Sequence, residues 1–174
     1  MKLFKNLFLT LTLTSVLVSC SSDDVHIPTN SEKIIGEWEL NEFKLNGNSI
    51  TTVGSEDPIE AIIMSNGETF TNTLSKFTHP NTLKNSGSFL LVTTTTIGEE
   101  VIEKQAITQF DTSGTWKIEG EKLTIKADGE NTEYDILSLT EKVLKLKGVD
   151  EDTTTIGSTV IVTKLTSTLS FEKK

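Results

Sequence analysis

GTWKIEGEKLTIKADGENTEYDILSLTEKVLKLK, residues 114–147, is the stretch whose alternation decides the fold. Trp116 and Ile118 alternate with Lys117 and Glu119 before a turn at Gly120. Leu123, Ile125 and Ala127 alternate with Lys122, Thr124 and Lys126 before a second turn at Asp128-Gly129, and Tyr134 and Ile136 follow. After a turn at Thr140–Lys142, Leu144 and Leu146 alternate with Lys145 and Lys147. Successive side chains of a strand point to opposite faces, so each run buries one face and wets the other. Short runs joined by tight turns make an antiparallel meander.

Working outward, the same reading extends over most of the chain. Trp38 and Leu40 share one parity, whereas Phe43 and Leu45 have the other, which predicts a bulge near Asn41-Glu42. Asn46-Gly47-Asn48 reads as a hairpin turn, Ser49–Pro58 as a loop after a short return strand, and Asn66-Gly67 as a turn between strands Ile59–Met64 and Glu68–Thr73. Lys76–Ser86, with His79-Pro80, is expected to be the longest loop. Gly87–Ile97 and Glu100–Phe110 form a hairpin turned at Gly98-Glu99, and the β-branched run Thr93–Thr96 reads as half-exposed strand. Asp150–Asp152 reads as a polar loop, Ser158–Leu165 as a strand, and Thr166–Lys174 as a tail or short closing strand. The one helical candidate is a single turn around Ser31–Ile35. Nine or ten strands at this spacing make an all-β barrel or sandwich.

The first residues are of another kind. Lys2 and Lys5 precede the apolar run Leu7–Val18, which is short for a membrane span and has the flanks of a signal peptide. Leu17-Val18-Ser19-Cys20 resembles the lipobox of bacterial lipoproteins, in which cleavage precedes the Cys and its thiol carries diacylglycerol. Residues 1–19 are therefore expected to be a lipoprotein signal peptide and Cys20 the lipidation site. Residues 20–33 would be a flexible tether and 34–174 the folded domain. With the only Cys acylated, disulfides, thiolate catalysis and Cys-based metal sites are excluded. Asp23-Asp24 resembles the acidic signals after the lipidated Cys of surface-exposed lipoproteins, which favours the cell surface over the periplasmic leaflet of the outer membrane.

Removing residues 1–19 takes away two Lys and no acid, leaving 14 Lys against 25 Asp plus Glu, a balance of −11. Arg is absent, so neither a basic patch nor an Arg fork is available for nucleic acid. No constellation for catalysis stands out. His79 is the only His of the folded part, and no Gly-x-Ser-x-Gly elbow accompanies it. His-Glu-x-x-His is missing, and Asp150–Asp152 lacks the spacing of a calcium loop, so no metal or cofactor is expected. Glu37 and Glu39 fall on the wet face of their strand.

Gly36-Glu37-Trp38 resembles the Gly-x-Trp signature of lipocalins. Gly114-Thr115-Trp116, followed by Gly120, Leu123 and Ile125, resembles the Gly-Thr-Trp hairpin of bacterial lipocalin-like domains. Leu137–Thr140 leading into Leu144–Leu146 is similar to the strand pair that closes them. The resemblance implies an antiparallel up-and-down lipocalin-like barrel of about eight to ten strands. Its cup would take a small apolar ligand without catalysis; Trp38, Phe43, Phe70, Trp116 and Tyr134 are expected either to line that cup or, as large aromatics more often do, to form the barrel core. The family sets an Arg over the Trp of Gly-x-Trp; here Lys164 is the expected stand-in, by cation–π contact. The alternative is a packed barrel docking to a cell-envelope protein complex. A cavity of a few hundred Å³ would favour the ligand, and a filled barrel with exposed apolar surface the docking role.

Overall fold

Alternation in this chain outlasts its turn signals, and the strands are correspondingly long. The computed structural model describes residues 29–174. A short helix, α1 (Asn30–Lys33), precedes nine strands: β1 (Gly36–Val53), β2 (Ile59–Thr78), β3 (Thr82–Ile97), β4 (Glu100–Gln109), β5 (Ser113–Glu119), β6 (Lys122–Ala127), β7 (Glu130–Leu139), β8 (Val143–Ile156) and β9 (Thr159–Lys173). All pairings are antiparallel, and eight strands close a ring in which β9 returns to β1. The ninth, β4, is spliced into the up-and-down order and pairs with β3 alone. The all-β lipocalin-like barrel is therefore present, with one strand outside the closed ring.

The splice divides the barrel lengthwise. Residues 82–84 of β3 pair with β5, whereas residues 88–97 pair with β4. On the other side, β7 pairs with β8 only as far as Gly148, and Val149–Ile156 pairs only with β9. One half is thus a closed ring. The other is a six-stranded wall, β4-β3-β2-β1-β9-β8, whose two edges are not paired with one another.

The closed half holds the core: Trp38, Leu40, Phe77, Leu83, Trp116, Leu123, Leu144, Leu146 and Phe171 are all buried. Burying such side chains supplies about 1.5–3 kcal/mol each against the cost of ordering the chain. Ile34, fully buried, follows α1 at the end of the ring. The helical turn expected around Ser31–Ile35 lies at Asn30–Lys33, and Glu32 accepts from the Thr29 amide at 2.7 Å and its hydroxyl at 2.9 Å. Asn30 Nδ2 donates to the Gly120 carbonyl at 3.2 Å, and Lys173 Nζ to the Lys33 carbonyl at 3.1 Å. Residues 29–33, expected to end a flexible tether, are thereby held against the barrel. The signal peptide, Cys20 and the rest of the tether lie outside the described residues.

The bulge expected at Asn41-Glu42 is present as a register shift against β9 between Leu40 and Glu42. Several expected turns are not. Gly47 lies inside β1, where a Cβ would come 2.0 Å from the Lys164 carbonyl oxygen; it marks a close approach of β9, not a hairpin. Gly67 lies inside β2, where a Cβ would press on Phe70 and Phe43. Ser49–Val53 continues β1 instead of opening a loop, and the chain turns at Gly54. The long loop expected over Lys76–Ser86 shrinks to a turn at residues 79–81, because Phe77 and Leu83 pair across it, both buried, while Lys76 and Lys84 pair outward. Asp150–Asp152 is strand, each residue paired with β9 and Glu151 bridged to Lys164 at 3.2 Å. Of the two expectations for Thr166–Lys174, the strand is the one present, as Thr166–Lys173 continues β9.

Candidate functional site

Inside the closed half, little space is left. Trp38 is fully buried and its Nε1 donates to the Ile34 carbonyl at 2.7 Å. Trp116 is 4% exposed, donates from Nε1 to the Thr82 carbonyl at 3.1 Å, and meets Phe77 edge-on with ring centroids 5.9 Å apart. Both indole N–H groups are thus held by backbone, as buried Trp requires. The remaining void is about 50 Å³, bordered by Ser75, Phe77, Asn85, Tyr134 and Phe171. That accommodates one or two waters, well short of the few hundred Å³ of an ordinary ligand site. Of the five rings expected to line a cup or fill the core, Trp38 and Trp116 belong to the filled core.

The other three stand where the ring gives way to the open wall. Phe43 and Phe70 are half-buried and both lean on buried Phe89, with centroids 5.3 and 5.4 Å from it. Local backbone sets this up. In β2, Thr69 and Asn72 take φ of 49°, the β2–β3 register shifts on both sides of Thr71, and Phe70 turns inward. Opposite them Gly87 takes φ of 104°, where a Cβ would lie 2.3 Å from the Asn72 carbonyl oxygen. Phe89 was not singled out from the sequence. It sits in Phe89-Leu90-Leu91, where three consecutive apolar residues hide which one faces inward.

Tyr134 stands at the boundary. It pairs with Gly148, where a Cβ would come 3.1 Å from its Cε1, so the missing side chain makes room for the ring. One side of Tyr134 borders the small void. The other borders an open cleft of about 500 Å³ formed with Glu130, Thr132, Asp150 and Ser167. Burial raises its phenol pKa above the ordinary 10.0. Among the described residues no group hydrogen-bonds its hydroxyl. Further along the wall, two hydroxyl pairs cross strands on the same face: Ser65 with Thr93 at 2.8 Å and Ser49 with Thr163 at 3.1 Å.

The remaining candidates fall elsewhere. Lys164 does not reach Trp38, being engaged with Glu151. Lys173, paired with Trp38 across β1 and β9, sits 5.0 Å from the indole centroid and takes the role expected of Lys164. Glu37 and Glu39 face outward to Lys76 at 2.7 Å and Lys174 at 3.4 Å. The Lys76 ammonium, hydrogen-bonded to Glu37, lowers that carboxyl below its usual 4.5. His79 is exposed at the β2–β3 turn, and among the described residues no three His, Cys, Asp or Glu side chains are grouped to hold a metal ion.

Comparison with known proteins adds one firm finding. The family model of the lipocalin-like domain matches residues 34–146. Among solved structures, the S-type phycobiliprotein lyase CPES from Guillardia theta is similar at 14% identity over 83% of this chain and 89% of that one. With a TM-score of 0.27 the likeness carries no argument about this chain. No curated protein matches the sequence.

Proposed function

The chain belongs to the lipocalin-like domain family, whose barrel is a binding fold, and from that premise we propose a non-enzymatic, membrane-anchored module that binds a small apolar ligand. The observation that supports it is the division of the barrel. The closed half is full, while half-buried Phe43 and Phe70 and the edge of Tyr134 stand at the base of an uncovered wall. The ligand would rest on those rings in the open half. Trp38 and Trp116 would support it from below without touching it.

A ligand that binds only the folded state stabilises it by mass action, about 2.7 kcal/mol at a hundred times its Kd. For a domain of this size that raises the melting temperature by on the order of 5–10 °C. Delipidated protein is therefore to be melted with a panel of small apolar probes, and Phe70→Ala should reduce any shift. If no compound in the panel moves the melting temperature, the ligand-binding reading is refuted.

The anchor belongs to the same proposal. A lipidated Cys20 would hold the domain at the outer membrane, with Asp23-Asp24 favouring the cell surface. Cys20→Ser should leave a soluble or unprocessed protein; quantitative partitioning with outer membranes after cleavage would refute the anchor.

A second reading has its own support. Ile62, Met64, Val101 and Ile107 are exposed on the outer face of the open half, and Ile107 keeps 73% of its surface in water. Apolar surface of that kind, beside the unpaired edge of β4, fits docking to a cell-envelope protein. Ile107→Lys with Val101→Lys should then dissolve a complex on native gels without altering ligand-induced melting shifts.

A further inference from the structure

The inner face of the open half is banded. Following register from strand to strand, Tyr134, Gly148, Ser167, Leu45, Ser65 and Thr93 form one row across the wall. Two residues further along each strand the row runs Asp150, Leu165, Gly47, Ile63 and Thr95, apolar only at its middle. The row beyond runs Asp152, Thr163, Ser49, Ala61 and Ile97. Along β9 and β1–β3 the hydroxyls of Ser167, Ser65 and Thr93 and those of Thr163 and Ser49 thus lie on either side of Leu165 and Ile63, at steps of roughly 7 Å along the strands. Each cross-strand pair, Ser65–Thr93 and Ser49–Thr163, consumes one hydroxyl proton. That leaves one O–H and several lone pairs per pair for a third partner. Thr93, Ser49 and Thr163 are half-buried and offer them to the trough.

Charge on this face is one-sided. Asp150 and Asp152 of β8 lie on it by register with Leu165 and Thr163, and Glu130 joins Asp150 around the cleft at Tyr134. Glu100 lies on the far rim, and Lys104 is the counterweight, in register with Thr93. Among the described residues none of these four carboxylates is in an ion pair. An anion entering the trough meets four carboxylates against one Lys, a net negative field.

Resting on the ligand-binding reading above, we infer that the ligand is an uncharged amphiphile with a hydroxyl-rich head, of the glycoside class, and that the trough rejects carboxylates. A sugar ring presents hydroxyls that both donate and accept beside patches of C–H, which matches Ser and Thr hydroxyls set beside Leu45, Ile63 and Leu165. The rings of Phe43 and Phe70 would take the apolar tail. A fatty-acid carboxylate can only accept, and would do so beside Asp150 and Asp152.

Two probes of equal chain length separate the possibilities: octyl β-glucoside and octanoate, titrated into the delipidated chain below their micelle-forming concentrations. At low salt the glucoside is expected to bind at least tenfold more tightly, and added salt should narrow that ratio by screening the acids. Asp150→Asn with Asp152→Asn should narrow it several-fold as well. Thr163→Val, which removes a hydroxyl but keeps the shape, should weaken glucoside binding three- to tenfold. Should that variant melt early, Thr93→Val provides the same reading. Octanoate binding as tightly as the glucoside overturns this inference and leaves the apolar-ligand reading standing, as does a ratio insensitive to both salt and the Asp substitutions. Binding of neither probe nor any other panel member overturns both together.

Discussion

Trp116→Ala tests the assignment of inside and outside on which the barrel rests. The ring is 4% exposed, contacts Phe77 edge-on and donates to the Thr82 carbonyl. Removing a buried Trp side chain costs about 3–5 kcal/mol. Of that, the edge contact accounts for about 0.5–1.5 kcal/mol beyond the buried area. Thr82 is at the turn end of β3 and exposed, so water can replace the lost indole N–H. Most of the cost is therefore the cavity, and Trp116→Phe should recover more than half of it. Lys117, next in sequence, points outward to Glu119 across solvent-exposed surface. Its replacement by Ala should stay within about 0.5 kcal/mol. Urea melts followed by far-ultraviolet circular dichroism avoid the lost fluorophore. With a slope near 2 kcal/mol per molar, Trp116→Ala lowers the midpoint by about 1.5–2.5 M. Small and similar costs for Trp116 and Lys117 would mean that this face of β5 is not the buried one.

Three further outcomes follow from single contacts. A double-mutant cycle between Trp38 and Lys173 should give a coupling of about 0.5–1 kcal/mol in thermal melts, and the same cycle with Lys164 none. Gly47→Ala must push β1 and β9 apart at the Lys164 carbonyl and should cost about 1–3 kcal/mol, whereas Asn46→Ala, exposed in the same strand, should be nearly silent; a silent Gly47→Ala would restore the turn. Tyr134 is the only Tyr, so tyrosinate absorbance titrates it alone, with a midpoint above 10 when folded and near 10 in denaturant. Because the folded state keeps that proton longer than the unfolded one, stability holds below pH 10 and falls as pH rises from there through the folded pKa.

The stretch 114–147 was legible because its instructions are local. Gly120, Asp128 and Gly129 take φ of 62°, 53° and 88°, so residues that favour turns in sequence make turns in space. The first half of the barrel was less legible because the same residue types serve another purpose there. Gly47 admits the backbone of β9 and Gly67 admits the rings of Phe70 and Phe43, and nothing beside them in sequence separates that use from a hairpin. The splicing of β4 is silent for a related reason: whether β3 bonds β4 or β5 is decided at Asn85–Gly87 by contacts with residues 110–112. Inward parity was enough to put Phe43, Phe70 and Tyr134 on the inner face. The choice of Lys173 over Lys164 depends on ring closure, since only the β1–β9 register brings Lys173 across from Trp38. The Ser49–Thr163 pair depends on it equally, whereas Ser65–Thr93 joins the consecutive strands β2 and β3.

What the ring and the wall share is their strands, and that continuity bears on how the trough works. β1, β2, β3, β8 and β9 run from the packed half into the open one without a break in the backbone. The residues at the base of the trough are thereby fixed by the core beneath them: Phe43 follows the bulge after buried Leu40, and Phe89 is itself buried. For the binding proposed above, a surface supported in this way would need little ordering when a ligand arrives, which removes part of the entropic cost of association. Further along the wall this support fades. Ile59, Val101 and Ile156 are more than half exposed, and the edges of β4 and β8 offer free backbone groups. Their protection from hydrogen exchange should therefore decline from the rings outward, in the order in which packing is lost. A ligand lying across the wall would restore protection first at Ser65, Thr93 and Ser167, where the rigid base and the hydroxyl rows meet, and last at the strand tips.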